Sequence, residues 1–352
     1  MLRFETAGES HGECLVATLT GLPSGVPISL EKIDRELWRR QQGYGRGGRM
    51  KIETDRAHIV SGVRHSITIG APIAMLIDNK DWKNWTNILP VEKLEGGESK
   101  PVTRPRPGHA DLAGAIKYDF HDSRYILERA SARETTARVA VGALAKAYLA
   151  EFGIEVLSHV IAVGEARLER AATWEELVAL SKRDDVLLGC VDAEAEQRMK
   201  AVVDTAYKTG DTVGGVFEVV ARGVPVGLGS HIAWDTRLDG KLAQAIVSMQ
   251  AVKGVEVGFA AEGAAAPDHR EPVVQPHAQQ VQQPERLRLS VDERDGIDGD
   301  GILHRRQLEQ LLEHRLWVES VLDLDDESKA AVPIGEIDDV DRKSTRLNSS
   351  HT

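Results

Sequence analysis

Short stretches of alternating apolar and polar residues mark the first part of the chain. Residues 16–20 (VATLT) alternate with the two-residue period of a strand. Residues 52–78 contain further short apolar runs, which also predict strands. Between them, Ser29 is a suitable N-cap for a helical pattern that continues to Gln42. The glycine-rich run at residues 43–48 ends this predicted helix.

Alanine- and leucine-rich segments predict helices in the middle of the chain. The strongest pattern covers residues 134–152, and Gly153 ends it. Residues 173–176 (TWEE) form a capping box that opens another helix. Because strands and helices follow each other in no fixed βαβ order, we predict an α+β fold rather than a doubly wound parallel sheet. The remaining predicted elements are helices at residues 193–207 and 240–252 and a strand at residues 216–220.

Composition narrows the class of protein. The chain has 352 residues, of which 41% are apolar, enough for one large domain or two ordinary ones. It has no run of about 18 apolar residues and no signal-like start, so we expect a cytoplasmic protein without a membrane span. Cys14 and Cys190 make neither a disulfide framework nor a metal-ligand cluster, so we expect no metal. The net charge of −11 argues against nucleic-acid binding.

A histidine in a short glycine-bounded motif is the first candidate for chemistry. Residues 8–12 (GESHG) place His11 between a serine and a glycine. Histidine titrates near neutral pH and can give or take a proton, and glycines let the backbone approach a ligand closely. The alternative is a surface turn with an incidental histidine.

Arginines concentrate in a glycine-rich loop after the first predicted helix. Arg39, Arg40, Arg46 and Arg49 lie close together there, and a guanidinium fork suits carboxylates and phosphates. Residues 43–48 also fit G-x-G-x-x-G, but a helix rather than a strand precedes them, which argues against a dinucleotide fingerprint. An arginine–glycine RNA-binding segment is the alternative, and it would need many more repeats.

Two further segments combine arginine with glycine or serine. Residues 104–111 (RPRPGHAD) hold two arginines and His109 in a proline-stiffened part of a long loop, predicted for residues 80–107. Residues 128–135 (ERASARET) precede the strongest helix, whose N-terminus favours a phosphate. Rigid surface loops and ordinary helix capping are the alternatives. Three such loops and two histidines together indicate a small polyanionic substrate and acid–base chemistry.

The motifs resemble those of the chorismate synthase family. The resemblance covers about residues 1–267. It implies a β-α-β sandwich assembled as a homotetramer. It also implies removal of phosphate and a proton from 5-enolpyruvylshikimate 3-phosphate to give chorismate, with reduced FMN as cofactor. The segments that carry it are residues 8–12, 21–25, 40–49, 106–111, 128–144 and 250–258.

The resemblance implies roles for individual residues. His11 would donate a proton beside the leaving phosphate, and His109 would lie by the flavin and hold its protonation state. In the family, the positions of Arg40 and Arg46 are also described as binding NADPH, so NADPH is a candidate reductant. The residues implied to bind the substrate are Ser10, Arg40, Arg46, Arg106 and Arg133. Those implied to line the FMN site are Arg129, Ala130, Ser131, Gln250 and Ala251.

After Pro267 the chain departs from the family pattern. Residues 268–340 lack the family's late motifs, several of which bind FMN, and their glutamine-, histidine- and arginine-rich composition is typical of a frameshifted translation. We therefore expect the domain to be incomplete at its C-terminus. Residues 305–322 in this tail fit an amphipathic helix. Residues 341–352 resemble a translated sequencing adapter, and a natural charged tail is the alternative.

Three hypotheses about function follow. The first is that the gene product is a chorismate synthase; without the family's late loops, the chain with its present tail should bind FMN weakly and show no turnover. The second is an inactive fragment that at most binds anions. The third is an arginine–glycine RNA-binding protein, which the net charge of −11 disfavours.

Overall fold

Two antiparallel sheets and a buried helix that packs against both make up most of the molecule. The computed structural model describes residues 2–45, 53–93 and 101–258 and the backbone of a strand at Glu285–Val291. The mixed, non-alternating order of helices and strands confirms the predicted α+β class.

The first sheet comes from the N-terminal 80 residues. Its strands and those of a small ribbon beside it are β1 (Arg3–Ala7), β2 (Cys14–Thr20), β3 (His58–Ser61), β4 (Val63–Arg64), β5 (Ile67–Thr68) and β6 (Ile73–Asp78). The sheet order is β1–β2–β6–β3, antiparallel throughout, and β4 pairs with β5. In β2, Leu15, Ala17 and Leu19 are buried and the residues between them are half-buried, which is the alternation that predicted a strand.

The second sheet comes from the later part of the chain. Its strands are β7 (Glu155–Val163), β8 (Ala166–Arg167), β9 (Gly215–Arg222), β10 (Gly254–Val257) and β11 (Glu285–Val291). They are ordered β10–β11–β9–β7–β8, and every neighbouring pair is antiparallel. The register of β11 on β9 pairs Leu287 with Val219, so the chain returns beyond residue 284 to complete this sheet.

Seven α-helices connect and cover the strands in the described part of the chain. They are α1 (Leu30–Gln41), α2 (Asp111–Tyr118), α3 (Arg124–Arg129), α4 (Thr135–Ala150), α5 (Trp174–Ser181), α6 (Ala193–Thr209) and α7 (Leu238–Val247). Short 3-10 helices occupy Lys80–Asn84, Ala132–Glu134 and Trp234–Thr236.

Helix α4 is the centre of the fold. It is buried over most of its circumference, and small residues such as Ala137, Ala140 and Ala143 allow close packing on several sides. It packs against β1 and β2 of the first sheet, β7 of the second sheet, and α1. This arrangement matches the expected β-α-β sandwich.

Local sequence patterns located the capped helices correctly. The Ser29 hydroxyl accepts a hydrogen bond from the backbone N–H of Lys32 at 3.2 Å at the start of α1. Thr173 and Glu176 form both bonds of the predicted capping box of α5. The helix predicted for residues 240–252 is confirmed in part, because α7 begins at Leu238 and ends at Val247.

Several elements had no local signal. Strands β1 and β7 and helices α2 and α3 were not predicted, and the loop predicted for residues 80–107 opens with a 3-10 helix at Lys80–Asn84. Strand β1 (RFETA) shows no apolar alternation in its sequence, and none of its residues is fully buried. It is held in the sheet by its pairing with β2. The helix predicted for residues 305–322 lies outside the described residues.

Glu36 carries an ion-pair contact between α1 and α4. Its carboxylate accepts hydrogen bonds from Arg39 at 2.8 Å and from Lys146 on α4 at 3.1 Å. Burial raises the pKa of Glu36, but the two cations outweigh this and lower it from 4.5 to about 2. A depressed pKa in the folded state stabilises the protein above the unfolded value, and this contribution is lost as pH falls from 4.5 toward 2.

We predict that Glu36→Gln lowers the free energy of unfolding at pH 7 by about 1–3 kcal/mol. The loss of stability that the wild type shows below pH 4.5 should be smaller in the variant. Urea unfolding across this pH range measures both effects. Glu151→Gln, at an exposed carboxylate, is the control. An unchanged pH dependence in Glu36→Gln would contradict the assignment.

Candidate active site

The loop between β1 and β2 carries the predicted histidine. Gly8 opens this loop with φ +96°, and a Cβ there would collide with the carbonyl oxygen of Cys14. The loop is tied to α3, because the backbone N–H of Ser10 donates to the carbonyl oxygen of Glu128 at 3.0 Å. A glycine and a long-range backbone bond therefore fix the position of His11.

His11 is held on three sides by side chains from distant segments. Its Nδ1 lies 2.9 and 3.0 Å from the two carboxylate oxygens of Glu128, which is buried. Its ring stacks on Trp85 with centroids 4.0 Å apart. Its Nε2 lies 4.0 Å from a carboxylate oxygen of Asp81. The ring is 19% exposed and is oriented by these contacts, and its role in a reaction stays a prediction.

Two of the predicted substrate arginines lie in a buried ion-pair cluster. Nη1 of Arg133 donates to Asp55 at 2.7 Å, and Nη1 of Arg40 lies 3.5 Å from the same carboxylate oxygen. Nη2 of Arg133 lies 3.8 Å from Glu53. Arg40 is 1% exposed and Arg133 7%, whereas the sequence suggested arginines in an open loop. Their direct contact with substrate stays a prediction.

Asn79 joins the arginine cluster to the histidine loop. Its amide accepts a hydrogen bond from Arg133 Nε at 2.9 Å and donates to the carbonyl oxygens of Glu9 and Gly12, at 3.2 and 2.8 Å. The next residue, Lys80, donates its backbone N–H to Glu53 at 3.0 Å. The end of β6 thus links the His11 loop to Arg133.

A second network joins two of the predicted FMN residues. Arg129 Nη2 donates to the hydroxyl of Thr6 at 3.0 Å, and that hydroxyl donates to Glu134 at 2.6 Å. Gln250 donates to the other carboxylate oxygen of Glu134 at 3.2 Å. Burial raises the pKa of Glu134, but Arg138 and the hydrogen bonds outweigh it and hold this pKa below its usual range.

The other predicted FMN residues border this network. Ala130 ends α3, and the hydroxyl of Ser131 donates to that of Ser10 at 3.1 Å. Ala251 has φ +66°, a left-handed conformation that is uncommon for a residue with a side chain. Strained backbone of this kind often occurs at functional sites, and here it directly follows Gln250.

His109 belongs to a separate cluster at the start of α2. Its Nδ1 lies 2.5 Å from Asp111, and Arg106 donates to the other Asp111 oxygen and approaches His109 Nε2 at 3.0 Å. Burial raises the pKa of Asp111, but hydrogen bonds from Arg106 and the charge of His109 outweigh it and hold this pKa below its usual range. Gly114 lets α2 pack closely on Ile126 of α3, since a Cβ there would overlap the isoleucine.

Residues 128–136 are in contact with most parts of the predicted site. This segment supplies contacts to the His11 loop, the arginine cluster and the Gln250 network, while His109 and Arg106 are connected to it through the packing of α2 on α3. Arg46 lies outside the described residues. The sequence did not indicate the contact made by Glu128 to His11. It also did not indicate the following partners of the predicted site residues: Asp55, Asn79, Asp81, Trp85, Asp111 and Glu134.

Among the residues that the structure describes, no group of three histidine, cysteine or acidic residues is placed to hold a metal ion. In the same part of the chain, none of the helices combines the length and the apolar character that a membrane span needs.

Comparison with known proteins decides the family. The family model for chorismate synthase matches residues 2–299. The chain belongs to the chorismate synthase family. The chorismate synthase of Solibacter usitatus is 82% identical over 267 residues, which are 76% of this chain and 69% of the relative. That of Koribacter versatilis is 68% identical over 259 residues, 73% of this chain and 66% of the relative.

A solved structure supports the same assignment. The protein described as "Crystal Structure of Chorismate Synthase" is 35% identical, with a TM-score of 0.66 and 91% of each chain covered. The chain spans about two thirds of the length of the relatives named above. The chorismate synthase model also matches beyond residue 267, as far as residue 299, so the predicted boundary at 267 stays a prediction. Chorismate synthases are chorismate-forming lyases of the shikimate pathway.

We predict that Asp55→Asn destabilises the protein by about 3 kcal/mol, because removing one member of a buried ion pair leaves buried cations poorly compensated. Both Arg40 and Arg133 lose their shared carboxylate in this variant. Asp184→Asn removes a partner from the surface pair with Arg35, where Asp184 is 76% exposed, and should leave stability nearly unchanged. Equal stability of the two variants in urea unfolding would contradict a stabilising role for Asp55.

Proposed function

We propose that this chain carries the substrate-binding and proton-donating part of a chorismate synthase. The reaction is the loss of phosphate and a proton from 5-enolpyruvylshikimate 3-phosphate to give chorismate. The observation that carries the proposal is the oriented His11, held by Glu128 and Trp85 in a loop adjoining a buried arginine cluster. A departing phosphate gains from a proton donor, and histidine can supply a proton near neutral pH.

The charges of the site suit a substrate with a phosphate and two carboxylates. We assign its binding to Ser10, Arg40, Arg46, Arg106 and Arg133. Arg106 is partly exposed, whereas Arg40 and Arg133 already contact Asp55. Asp55 and Glu53 together balance the charge of these two guanidinium groups, so anion binding there relies on their N–H donors and on the other arginines.

We assign the flavin to the surface near Arg129, Ala130, Ser131, Gln250 and Ala251. One observation tests the fit: Gln250 Oε1 is buried and accepts no hydrogen bond within the described part of the chain. An amide oxygen in that position suits the N–H and O–H groups of FMN. Reduced flavin is an electron-rich partner for the substrate, and His109 would act beside it. NADPH is the candidate reductant.

We assign the assembly and setting from the family. The protein would act on a small molecule as a cytoplasmic homotetramer, with no nucleic-acid or membrane partner. The net charge of −11 supports the exclusion of nucleic acid.

A second candidate function is anion binding without turnover. The Solibacter and Koribacter relatives align with about three quarters of this chain and about two thirds of their own length, so part of each relative has no counterpart in the aligned region. If residues 268–340 do not replace the relatives' C-terminal part, the flavin site stays open. The chain as given would then bind FMN weakly and form no chorismate.

A chimera separates these possibilities. It joins residues 1–267 to the C-terminal part of the Solibacter usitatus chorismate synthase. With reduced FMN under anaerobic conditions, we expect the chimera to form chorismate and release phosphate, and the chain as given to do neither. A folded chimera without activity would contradict the proposed function, and turnover by the chain as given would contradict the account of its tail.

We predict that His11→Ala in the chimera lowers kcat by about 10²–10⁴-fold, the usual contribution of a general acid. KM should change much less, because His11 acts on the departing phosphate rather than on the whole substrate. Steady-state chorismate formation measures both constants. His58→Ala, at an exposed histidine on β3, is the matched control. Unchanged kcat in His11→Ala would remove this residue from the mechanism.

A further inference from the structure

Glu128 contacts the His11 loop in two ways. Its Oε2 accepts the backbone N–H of His11 at 2.8 Å, and the same carboxylate lies 2.9–3.0 Å from Nδ1 of the ring. The side chain is 1% exposed, and Arg124 lies 3.7 Å from Oε1 as a compensating cation. These bonds join residues that are 117 positions apart in the sequence.

The chemistry of the two groups fixes the location of the ring proton. An ionised carboxylate can only accept hydrogen bonds, so the nitrogen facing it must carry hydrogen. In the neutral imidazole one nitrogen donates and the other accepts. With hydrogen on Nδ1, the accepting nitrogen is Nε2, on the opposite edge of the ring. Proton exchange with a substrate would therefore occur at Nε2.

The ring plane is fixed independently of the hydrogen bond. Trp85 stacks on His11 with an interplanar angle of 27°, and Trp85 Nε1 is itself held by Asp81 at 2.9 Å. Arg124 lies over the Trp85 ring at 5.3 Å. Stacking sets the plane but leaves the choice between the two ring nitrogens open. Glu128 lies 2.9–3.0 Å from Nδ1, within hydrogen-bond distance, whereas Asp81 lies 4.0 Å from Nε2, so the closer carboxylate favours hydrogen on Nδ1.

We propose that Glu128 is the positioning residue of His11: it selects the Nδ1–H tautomer, aims Nε2 at the phosphate, and stabilises the ring while it is protonated. This inference rests on the proposed function for its catalytic part. Its structural part, the tautomer, stands without any reaction. Carboxylates beside metal-bound histidines raise the basicity of the ring and fix its orientation, and their loss commonly reduces metal affinity or activity by about 10–100-fold; we expect an effect of the same order for His11.

The alternative is that Glu128 only ties the loop to α3. In that case the hydrogen bond from the backbone N–H of His11 would hold the loop in place. A glutamine at position 128 could accept the same bond through its amide oxygen. The chain offers a matched comparison: His159 on β7 and Glu218 on β9 also form a buried pair, with Nε2 3.2 Å from Oε2. That pair lies in the second sheet, away from the candidate site.

The test is nitrogen-15 NMR of the histidine rings in the chain as given, at a pH above neutrality. The His11 signals are assigned by their loss in His11→Ala. We expect the Nδ1–H tautomer to dominate in the wild type. Glu128→Ala should shift the tautomer ratio about tenfold toward Nε2–H, because the acceptor of the Nδ1 hydrogen is lost. Glu218→Gln should leave the His11 signals unchanged.

Glu128→Gln covers the case in which the alanine variant does not fold. It keeps the shape and one acceptor but loses the charge, so it should also weaken the Nδ1–H preference while thermal unfolding shows a folded chain. A wild-type ring in the Nε2–H form, or an unchanged ratio in a folded Glu128 variant, would overturn the proposal. In the chimera, Glu128→Gln should lower kcat about 10–100-fold with little change in KM. Loss of activity without a tautomer shift would instead indicate a structural role.

Discussion

The contact between Glu128 and the loop of residues 8–12 is the interaction on which the candidate site depends. A short helix, α3, ends where the chain turns into α4, and its last turn points a buried carboxylate at His11. Glu128 is itself buried, and its backbone and side chain both bond to the loop between β1 and β2, so the carboxylate is held in place on α3. Because the side chains are already ordered, little conformational entropy is lost at the site when substrate binds.

Paired charges are the second constraint. Burying an unpaired arginine carries a large desolvation penalty, and here each buried guanidinium has a carboxylate close by. The pairing gives the cluster a fixed geometry at the end of β6, where Asn79 connects it to the backbone of the histidine loop. The same residues therefore serve folding and the site, so a stability defect and an activity defect must be measured separately in any variant of this cluster.

The features that could be predicted from the sequence are those that depend on neighbouring residues or on residue type alone. The alternation in β2 and the Ser29 cap of α1 depend on neighbouring residues, and both were found where expected. Strand β1 depends on pairing, so its own residues gave no signal. His11 was identified by residue type and motif, but its partner Glu128 is distant in sequence, and no local period connects them. The burial of Arg40 depends on Asp55 from a different segment, which composition could not show.

The central claim is that His11, oriented by Glu128, faces the phosphate of the bound substrate. A crystal structure of the chimera with oxidised FMN and 5-enolpyruvylshikimate 3-phosphate tests it most directly. We expect His11 Nε2 within about 2.6–3.2 Å of a phosphate oxygen, the reach of a general acid, with Nδ1 still hydrogen-bonded to Glu128. A phosphate bound away from His11, or Glu128 turned from the ring, would contradict it.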